Sequence, residues 1–519
     1  MGKRLNFSAC PLKPTAHQVV GIQKLVTDPV VFLCDEMGMG KSMQVIASAG
    51  FLFQQGVIDK VVIVAPAPVK SVWSDPELGQ LVTHGWPTLH HVVDVQGSRL
   101  MRFEYGNLDR PPLTWIVTNY EWLAWGMRKN SRFITPRLQT MMDRCDDRTL
   151  LVLDESSYIK STSALRTRAC RWVRTRCGRV ALLTGTPVAH SPLDLLSQAN
   201  MLDPSILSDR PGETMGLMQF RTKYCVMGGW QGKVVLSYRN IEDLQERLRP
   251  FTLRREKKDC LDLPPKLAPV TLTATLTPQS WTLYRDMRDH MIVELSGEVS
   301  VAQQAVTKLI RLSQLTSGFL GGLGGENTRE TGAEKIKLLM SWMTERLEED
   351  PTFKVVIWSQ FKADVARVAE ALEDLNVKHH HTRIPLHVGR LWGQNSAQER
   401  EETLRLLHPT TAPKGAVAVV GTPQTGAFGI TLASATSMIF LNNGPSLSTR
   451  LQAEDRIHRP GQTGPSVSYF EVAAEGPKGQ RTIDHLILKA LRQRRELAEW
   501  TASAWRDALV EQRTSDPSS

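Results

Sequence analysis

The stretch Val30-Val-Phe-Leu-Cys-Asp-Glu-Met-Gly-Met-Gly-Lys-Ser-Met-Gln44 decides how this chain is read. Val30 to Leu33 are apolar without alternation, as suits a parallel strand covered on both faces. Gly38 and Gly40 then let the backbone turn sharply, and Lys41 opens a helical pattern. A strand, a glycine turn and a helix start make a cradle, in which backbone N–H groups and the helix N-terminus attract phosphate oxygens. Met37, Gly38, Met39 and Gly40 supply that backbone. Lys41 would reach the β- and γ-phosphates, and the Ser42 hydroxyl would take one position on Mg²⁺. Asp35 stands where the generic pattern has a glycine, so the plain alternative is a tight strand-to-helix turn with a surface lysine.

Ahead of the cradle, Leu12 to Leu25 reads as an amphipathic helix. Gln18 on it has an amide that can pair with an adenine edge, or simply face water. After the cradle, Lys60-Val-Val-Ile-Val-Ala-Pro, Thr114-Trp-Ile-Val-Thr, Thr149-Leu-Leu-Val-Leu-Asp and Arg179-Val-Ala-Leu-Leu-Thr-Gly each read as buried strands separated by helices. Such alternation predicts a doubly wound parallel sheet with its ligands at the carboxyl ends of the strands. Asp154-Glu155 falls at such an end. Beside Mg-nucleotide, Asp154 would hold the metal through water and Glu155 would orient and deprotonate the attacking water. The alternative is a solvated strand end.

Residues 204–250 lose the strand rhythm and read as a helical insertion. The basic run from Leu253 and the Leu263-Pro-Pro-Lys break mark the boundary between two halves. A helical stretch is expected to about Thr316, then a flexible Gly321-Gly-Leu-Gly-Gly loop. Strands return at Lys354-Val-Val-Ile-Trp-Ser, Ala416-Val-Ala-Val-Val-Gly, Ser437-Met-Ile-Phe-Leu-Asn and Ser466-Val-Ser-Tyr-Phe-Glu-Val, predicting a second sheet that closes over the nucleotide held by the first. In Gln452-Ala-Glu-Asp-Arg-Ile-His-Arg-Pro-Gly-Gln, the spacing places Gln452, Arg456 and Arg459 on one face of a short helix. Two such guanidiniums stabilise charge on a transferred phosphoryl group, by about 10³- to 10⁵-fold where such fingers are known. A salt-bridged surface helix is the alternative. The resulting expectation is α/β: two doubly wound parallel-sheet lobes with helical insertions and a C-terminal helical tail, divided at 1–203, 204–262, 263–333, 334–475 and 476–519. The tail either braces the lobes, lies along DNA or stands solvated.

The 519 residues allow two or three cores, and 41% hydrophobic with 22% charged residues suit a globular chain. The sequence shows neither a membrane-length apolar run nor a signal-peptide pattern, so a cytoplasmic location and no membrane partner are expected. Seven scattered cysteines read as reduced thiols, with no zinc. His379-His380-His381 with His387 reads as a polar loop rather than a metal site. A net charge of +10 favours a polyanionic partner.

The order and wording of these motifs resemble the Swi/Snf-type branch of superfamily-two helicase-related ATPases. The matching phrases are Asp35-Glu-Met-Gly-Met-Gly-Lys-Ser, Asp154-Glu-Ser-Ser-Tyr-Ile-Lys, Leu183-Thr-Gly-Thr-Pro, Leu253-Arg-Arg, Leu263-Pro-Pro-Lys, Val356-Ile-Trp-Ser-Gln-Phe, Gly426-Ala-Phe-Gly-Ile-Thr-Leu and the Gln452 phrase. Asp35 is what that family has there. The resemblance implies two RecA-like lobes that use ATP and Mg²⁺ to track along double-stranded DNA and to move DNA-bound proteins, as a monomer. It implies that Gln18 reads adenine, Thr184 and Thr186 couple hydrolysis to DNA, and Arg456 and Arg459 sense the γ-phosphate. It also places DNA backbone contacts near Lys70, Asn119, Ser359, Gln360 and Thr425. Ser157 departs from the histidine often found after the carboxylate pair, which bears on coupling rather than hydrolysis. With no appended chromatin-reading module in view, a compact bacterial or viral member acting at the nucleoid or in an infected cell is expected. The alternatives are a strand-separating DNA or RNA helicase and an ATP-switched recruitment module.

Overall fold

A computed structural model describes residues 5–7, 13–75, 79–84, 90–96, 99–105, 113–127, 134–188, 191–210, 212–228, 234–295, 301–321, 328–378, 386–426 and 430–496. They form two compact units, one made of the described residues up to Leu261 together with Glu496, the other Asp262–Arg495.

The first unit is built on one sheet. Its strands are β1 (Val30–Leu33), β2 (Lys60–Ala65), β3 (His90–Gln96), β4 (Arg99–Tyr105), β5 (Leu113–Asn119), β6 (Thr149–Asp154), β7 (Arg179–Leu183) and, after a small hairpin of β8 (Cys225–Gly228) and β9 (Val234–Tyr238), β10 (Thr252–Leu253). Their order is β10-β1-β7-β6-β2-β5-β3-β4. Every pair is parallel except β3 with β4. The carboxyl ends of β1, β7, β6 and β2 therefore stand side by side along one edge. Val31 to Leu33, Val61 to Ala65 and Leu150 to Leu153 are all buried, which is why these strands read as apolar runs without alternation.

Residues 204–250 do not form a separate insertion with its own core. Leu207, Phe220, Tyr224, Ile241, Leu244 and Leu248 join the apolar cluster that contains Leu151, Leu153 and Leu182 of the sheet. The basic run at 253–255 lies in the first unit, where it continues the sheet beside β1. Cys34 N–H donates to Leu253 O at 2.7 Å and Glu36 N–H to Arg255 O at 3.0 Å.

The second unit holds an all-parallel sheet of β11 (Val270–Thr275), β14 (Lys354–Trp358), β15 (His387–Leu391), β16 (Val417–Gly421), β17 (Ser437–Phe440) and β18 (Ser468–Glu475), with β12 (Phe319–Leu320) and β13 (Arg329–Glu330) paired apart from it. The order is β11-β18-β17-β14-β16-β15. β11 differs from the helical reading of this region. Val-Thr-Leu-Thr-Ala-Thr is largely β-branched and lies at the sheet edge against β18, where exposed threonines are compatible with a strand. Helices Pro278–Leu295 and Val301–Thr316 follow it. The helix over 483–496 is not solvated along its length: Ile483 is buried, and Asp484 accepts the Ala474 N–H at 2.9 Å.

Among the described residues, no helix is long and apolar enough to cross a membrane, and no group of three or more His, Cys, Asp or Glu is placed to hold a metal. His379 to His381, residues 322–327, residues 427–429 and the chain beyond 496 lie outside the described residues. His387 begins β15.

Candidate nucleotide site

The cradle forms because two glycines take backbone that other residues avoid: Gly38 has φ 76° and Gly40 φ 74°. Gly40 caps helix Lys41–Gln54, so Lys41 is its first residue and Ser42 lies in its first turn. The Lys41 ammonium folds over the loop, donating to Asp35 O at 2.7 Å and Glu36 O at 3.1 Å. Met37 and Met39 are buried beneath the loop. The Met39 carbonyl accepts from His17 Nε2 at 3.1 Å, and from Gln18 Nε2 and Gln44 Nε2 at 3.4 Å each. Gln18 thus sits at the cradle's rim. Its Oε1 accepts the Thr15 N–H at 3.0 Å, closing a capping box at the start of helix Ala16–Thr27.

Asp35 explains its own departure from the generic pattern. The carboxylate is fully buried and receives a two-point clamp from Arg255, with Nε to Oδ1 at 2.9 Å, while Gln44 Nε2 donates to Oδ2 at 3.2 Å. Arg255 also donates to the His17 carbonyl. One guanidinium therefore ties the strap after β10 to the cradle and to the first helix.

The two carboxylates stand at the end of β6. Burial pushes the Asp154 carboxyl upward, against the pull of the Trp73 N–H, the Lys41 charge and the Glu155 N–H. Trp73 Nε1 donates to Oδ2 at 2.8 Å and the Glu155 N–H to Oδ1 at 3.0 Å. The Tyr120 hydroxyl donates to the Asp154 carbonyl at 2.8 Å. Glu155 has φ 51° and ψ 57°, a left-handed backbone rare for glutamate. Such strain persists only where the surroundings hold it. Next along the edge, at the end of β7, Thr184 and Thr186 are buried, and the Thr186 N–H donates to Thr184 Oγ1 at 3.1 Å. Gly185 lies so near Met37 that a Cβ there would stand 2.5 Å from its Cγ. The threonine loop therefore abuts the cradle, and the Lys41 charge acts on Asp154.

In the second unit, Gln452, Arg456 and Arg459 do not share one helical face. Helix Leu447–Glu454 stops before the arginines, and beyond it Pro460 disfavours helix at Arg459 and Gly461 takes φ 98°. They are gathered instead by one acceptor, the Ile430 carbonyl, which takes Arg456 Nη1 at 3.3 Å and Arg459 Nη1 at 2.7 Å. Arg456 Nε returns to Gln452 O at 3.1 Å.

Two of the residues assigned to DNA backbone contacts are turned inward. Lys70 is buried, with its ammonium on the Asp94 carboxylate and on Val95 O at 3.3 Å. Asp94 comes from β3, a strand the sequence reading did not recognise. Ser359 is fully buried, donating to Asp364 at 2.8 Å and accepting from Asn442 at 3.0 Å. Neither side chain faces a polymer. Asn119 caps helix Tyr120–Ala124 by accepting the Trp122 N–H at 2.7 Å. Gln360 and Thr425 are partly exposed. No role was expected of Trp73, Tyr120 or Arg255, although Trp73 and Tyr120 lie just past strand ends and Arg255 falls in the Leu253-Arg-Arg phrase.

A family model described as the SNF2-related domain matches residues 26–317, and a helicase conserved C-terminal domain matches 334–461. The chain belongs to the SNF2-related family. Its two matched domains are those of helicase-related ATPases, and ATP is the nucleotide such domains use. This SNF2-related chain is 23% identical over 479 residues to the SWI/SNF-related matrix-associated actin-dependent regulator of chromatin subfamily A-like protein 1 of Drosophila melanogaster, covering 90% of this chain and 53% of that protein. It is 25% identical over 535 residues to the human lymphoid-specific helicase, covering 90% and 59%. It therefore spans about half the length of these curated relatives. The Sulfolobus solfataricus SWI2/SNF2 ATPase core in complex with dsDNA aligns with 91% of this chain and 90% of its own, at 20% identity and a TM-score of 0.41.

Proposed function

We propose that this SNF2-related chain is a DNA-stimulated ATPase that translocates on duplex DNA and displaces or remodels what is bound there. The observation that carries the reading is the row of groups along one sheet edge: a glycine cradle opening a helix at Lys41, then the threonine loop, then Asp154 with Glu155 in a strained turn.

The residues present fit Mg-ATP. A Cβ at Gly40 would stand 2.3 Å from Gln18 Nε2, so the loop keeps its backbone bare on that side, where Gln18 can meet an adenine edge. Backbone N–H groups of residues 37–40 and the Lys41 ammonium suit the phosphates. Ser42 and Asp154 suit the metal, directly and through water, and a buried carboxylate already held by an N–H on each oxygen keeps further lone pairs for that purpose. When bound, the metal neutralises charge that develops on the transferred phosphoryl group. Glu155 orients a water and removes its proton. Thr184 and Thr186, whose loop leans on Met37, move with the cradle and pass its state to DNA. Arg456 and Arg459 supply positive charge to the γ-phosphate. Backbone contacts fall to Asn119, Gln360 and Thr425, with Lys70 and Ser359 acting as buried supports.

The test is steady-state ATP turnover with no polymer, single-stranded DNA, duplexes of increasing length and RNA, each repeated with Lys41→Ala. Stimulation that grows with duplex length and vanishes in the variant is expected. A preference for single strands or RNA would point to a strand-separating helicase, and length-independent turnover to a switch.

A further inference from the structure

The side chain of Gln198 joins two parts of the site that are remote in sequence. It lies in helix Asp194–Leu202 and is fully buried. Its Oε1 accepts from the Ser156 hydroxyl at 2.7 Å, and its Nε2 donates to the Pro187 and Asp194 carbonyls at 2.9 Å each. Both amide hydrogens and the amide oxygen are engaged, so its orientation is fixed: a flipped amide would set an oxygen against two carbonyl oxygens.

Both partners adjoin residues with proposed roles. Ser156 follows Glu155 and opens the tight turn Ser156–Ile159, which the left-handed Glu155 backbone leads into. Pro187 follows Thr186 and ends the loop that rests on Met37. Buried polar groups that are fully paired confine their neighbours to one arrangement, because any slip leaves a donor or acceptor without a partner away from water.

We infer that Gln198 is a positioning residue that holds the Glu155 turn in register with the Thr184-Gly-Thr-Pro loop, so that a shift in either is transmitted to the other. This rests on the proposed roles of Glu155 and of the two threonines. A residue that only filled space here would be replaceable by leucine, which has similar bulk and no polar atoms.

The experiment measures duplex-stimulated turnover and thermal unfolding for Gln198→Leu, Ser156→Ala, the double variant and Gln198→Glu. Gln198→Leu is expected to lower stimulated kcat about tenfold or more with KM for ATP within about twofold. Ser156→Ala should show a smaller loss of the same kind, and the double variant should lose no more than Gln198→Leu, since both act through one connection. Gln198→Glu keeps an acceptor for Ser156 but faces two carbonyls with a carboxylate. Its kcat relative to wild type should therefore rise as pH is lowered from about 8 to about 6, where burial lets the acid protonate and donate again. A packing role would instead lower the unfolding temperature of Gln198→Leu while leaving kcat per folded molecule and the pH profile of Gln198→Glu unchanged, which would overturn the inference. Should Gln198→Leu not fold, Ser156→Ala decides, and unchanged stimulation in it is equally fatal. If wild type shows no turnover, the functional reading fails and takes this inference with it. If wild type and Gln198→Leu are equally stimulated, the inference alone fails.

Discussion

The Trp73 indole N–H donates to Asp154 Oδ2 at 2.8 Å, linking the helix after β2 to the end of the neighbouring strand β6. Because the Asp154 carboxyl is raised by burial, this donor counts among the few groups that keep it ionised. Trp73→Phe retains the packing and removes the N–H. Losing a hydrogen bond to the charged form disfavours ionisation, so the acidic limb of the kcat/KM profile for ATP should move to higher pH. A pH series on both proteins reads this directly. The same raised carboxyl favours the folded state at low pH, where it is protonated, and that contribution is lost as pH rises through its folded value.

Glu155→Gln should bind ATP and DNA as wild type does while turnover falls by about 10²- to 10⁴-fold, the usual range for losing a general base. Nucleotide binding by equilibrium titration, beside a turnover assay, separates the two. Near-normal turnover would remove Glu155 from the role of base.

Asp35→Asn leaves Arg255 largely buried without its carboxylate. Breaking a buried pair from one side costs about 3–5 kcal/mol. Chemical denaturation should show that loss in the transition of the first unit, together with weaker ATP binding, since the same carboxylate holds Gln44 beside the cradle.

In the second unit, burial pushes Asp364 up to about 6, even with Ser359, Arg367, Lys335 and Ser317 opposing it. Its folded value lies above the unfolded one, so its stabilisation is complete below about pH 4 and is lost as pH rises through 6. The loss amounts to about 3 kcal/mol from the size of that shift. Asp364→Asn should therefore flatten the pH dependence of the second unit's unfolding between about pH 4 and 7 relative to wild type.

Duplex affinity should fall with salt at a log–log slope of about −0.9 for each phosphate neutralised. Lys70→Ala should leave that slope unchanged, because its ammonium is held by Asp94 inside the fold. A binding series in rising salt, with both proteins, tests this.

What was legible in the chain is what depends on short-range backbone demands. Gly38 and Gly40 had to bend, Val30 to Leu33 had to be covered, and Asp154-Glu155 had to follow a strand, so the cradle and carboxylates could be placed from a few neighbouring residues. The Arg255–Asp35 clamp joins positions 220 apart, and no local pattern carries such a pairing. The burial of Lys70 depends on Asp94 in the β3–β4 hairpin, whose mixed polar residues hid the strands. Spacing alone put Arg456 and Arg459 on a helix that ends before them, and the shared Ile430 carbonyl that gathers them lies well upstream. Gln198 carries no local mark of its contacts, since only the fold brings Ser156 and Pro187 to it.

The position of β10 beside β1 has a consequence for synthesis. β1 emerges from the ribosome early, yet its outer neighbour and the arginine that neutralises Asp35 are translated more than two hundred residues later. Until then a nascent chain carries an apolar strand with one open side and a buried-type carboxylate without its counterion. A chain released before Arg255 should therefore be a client for chaperones and proteases.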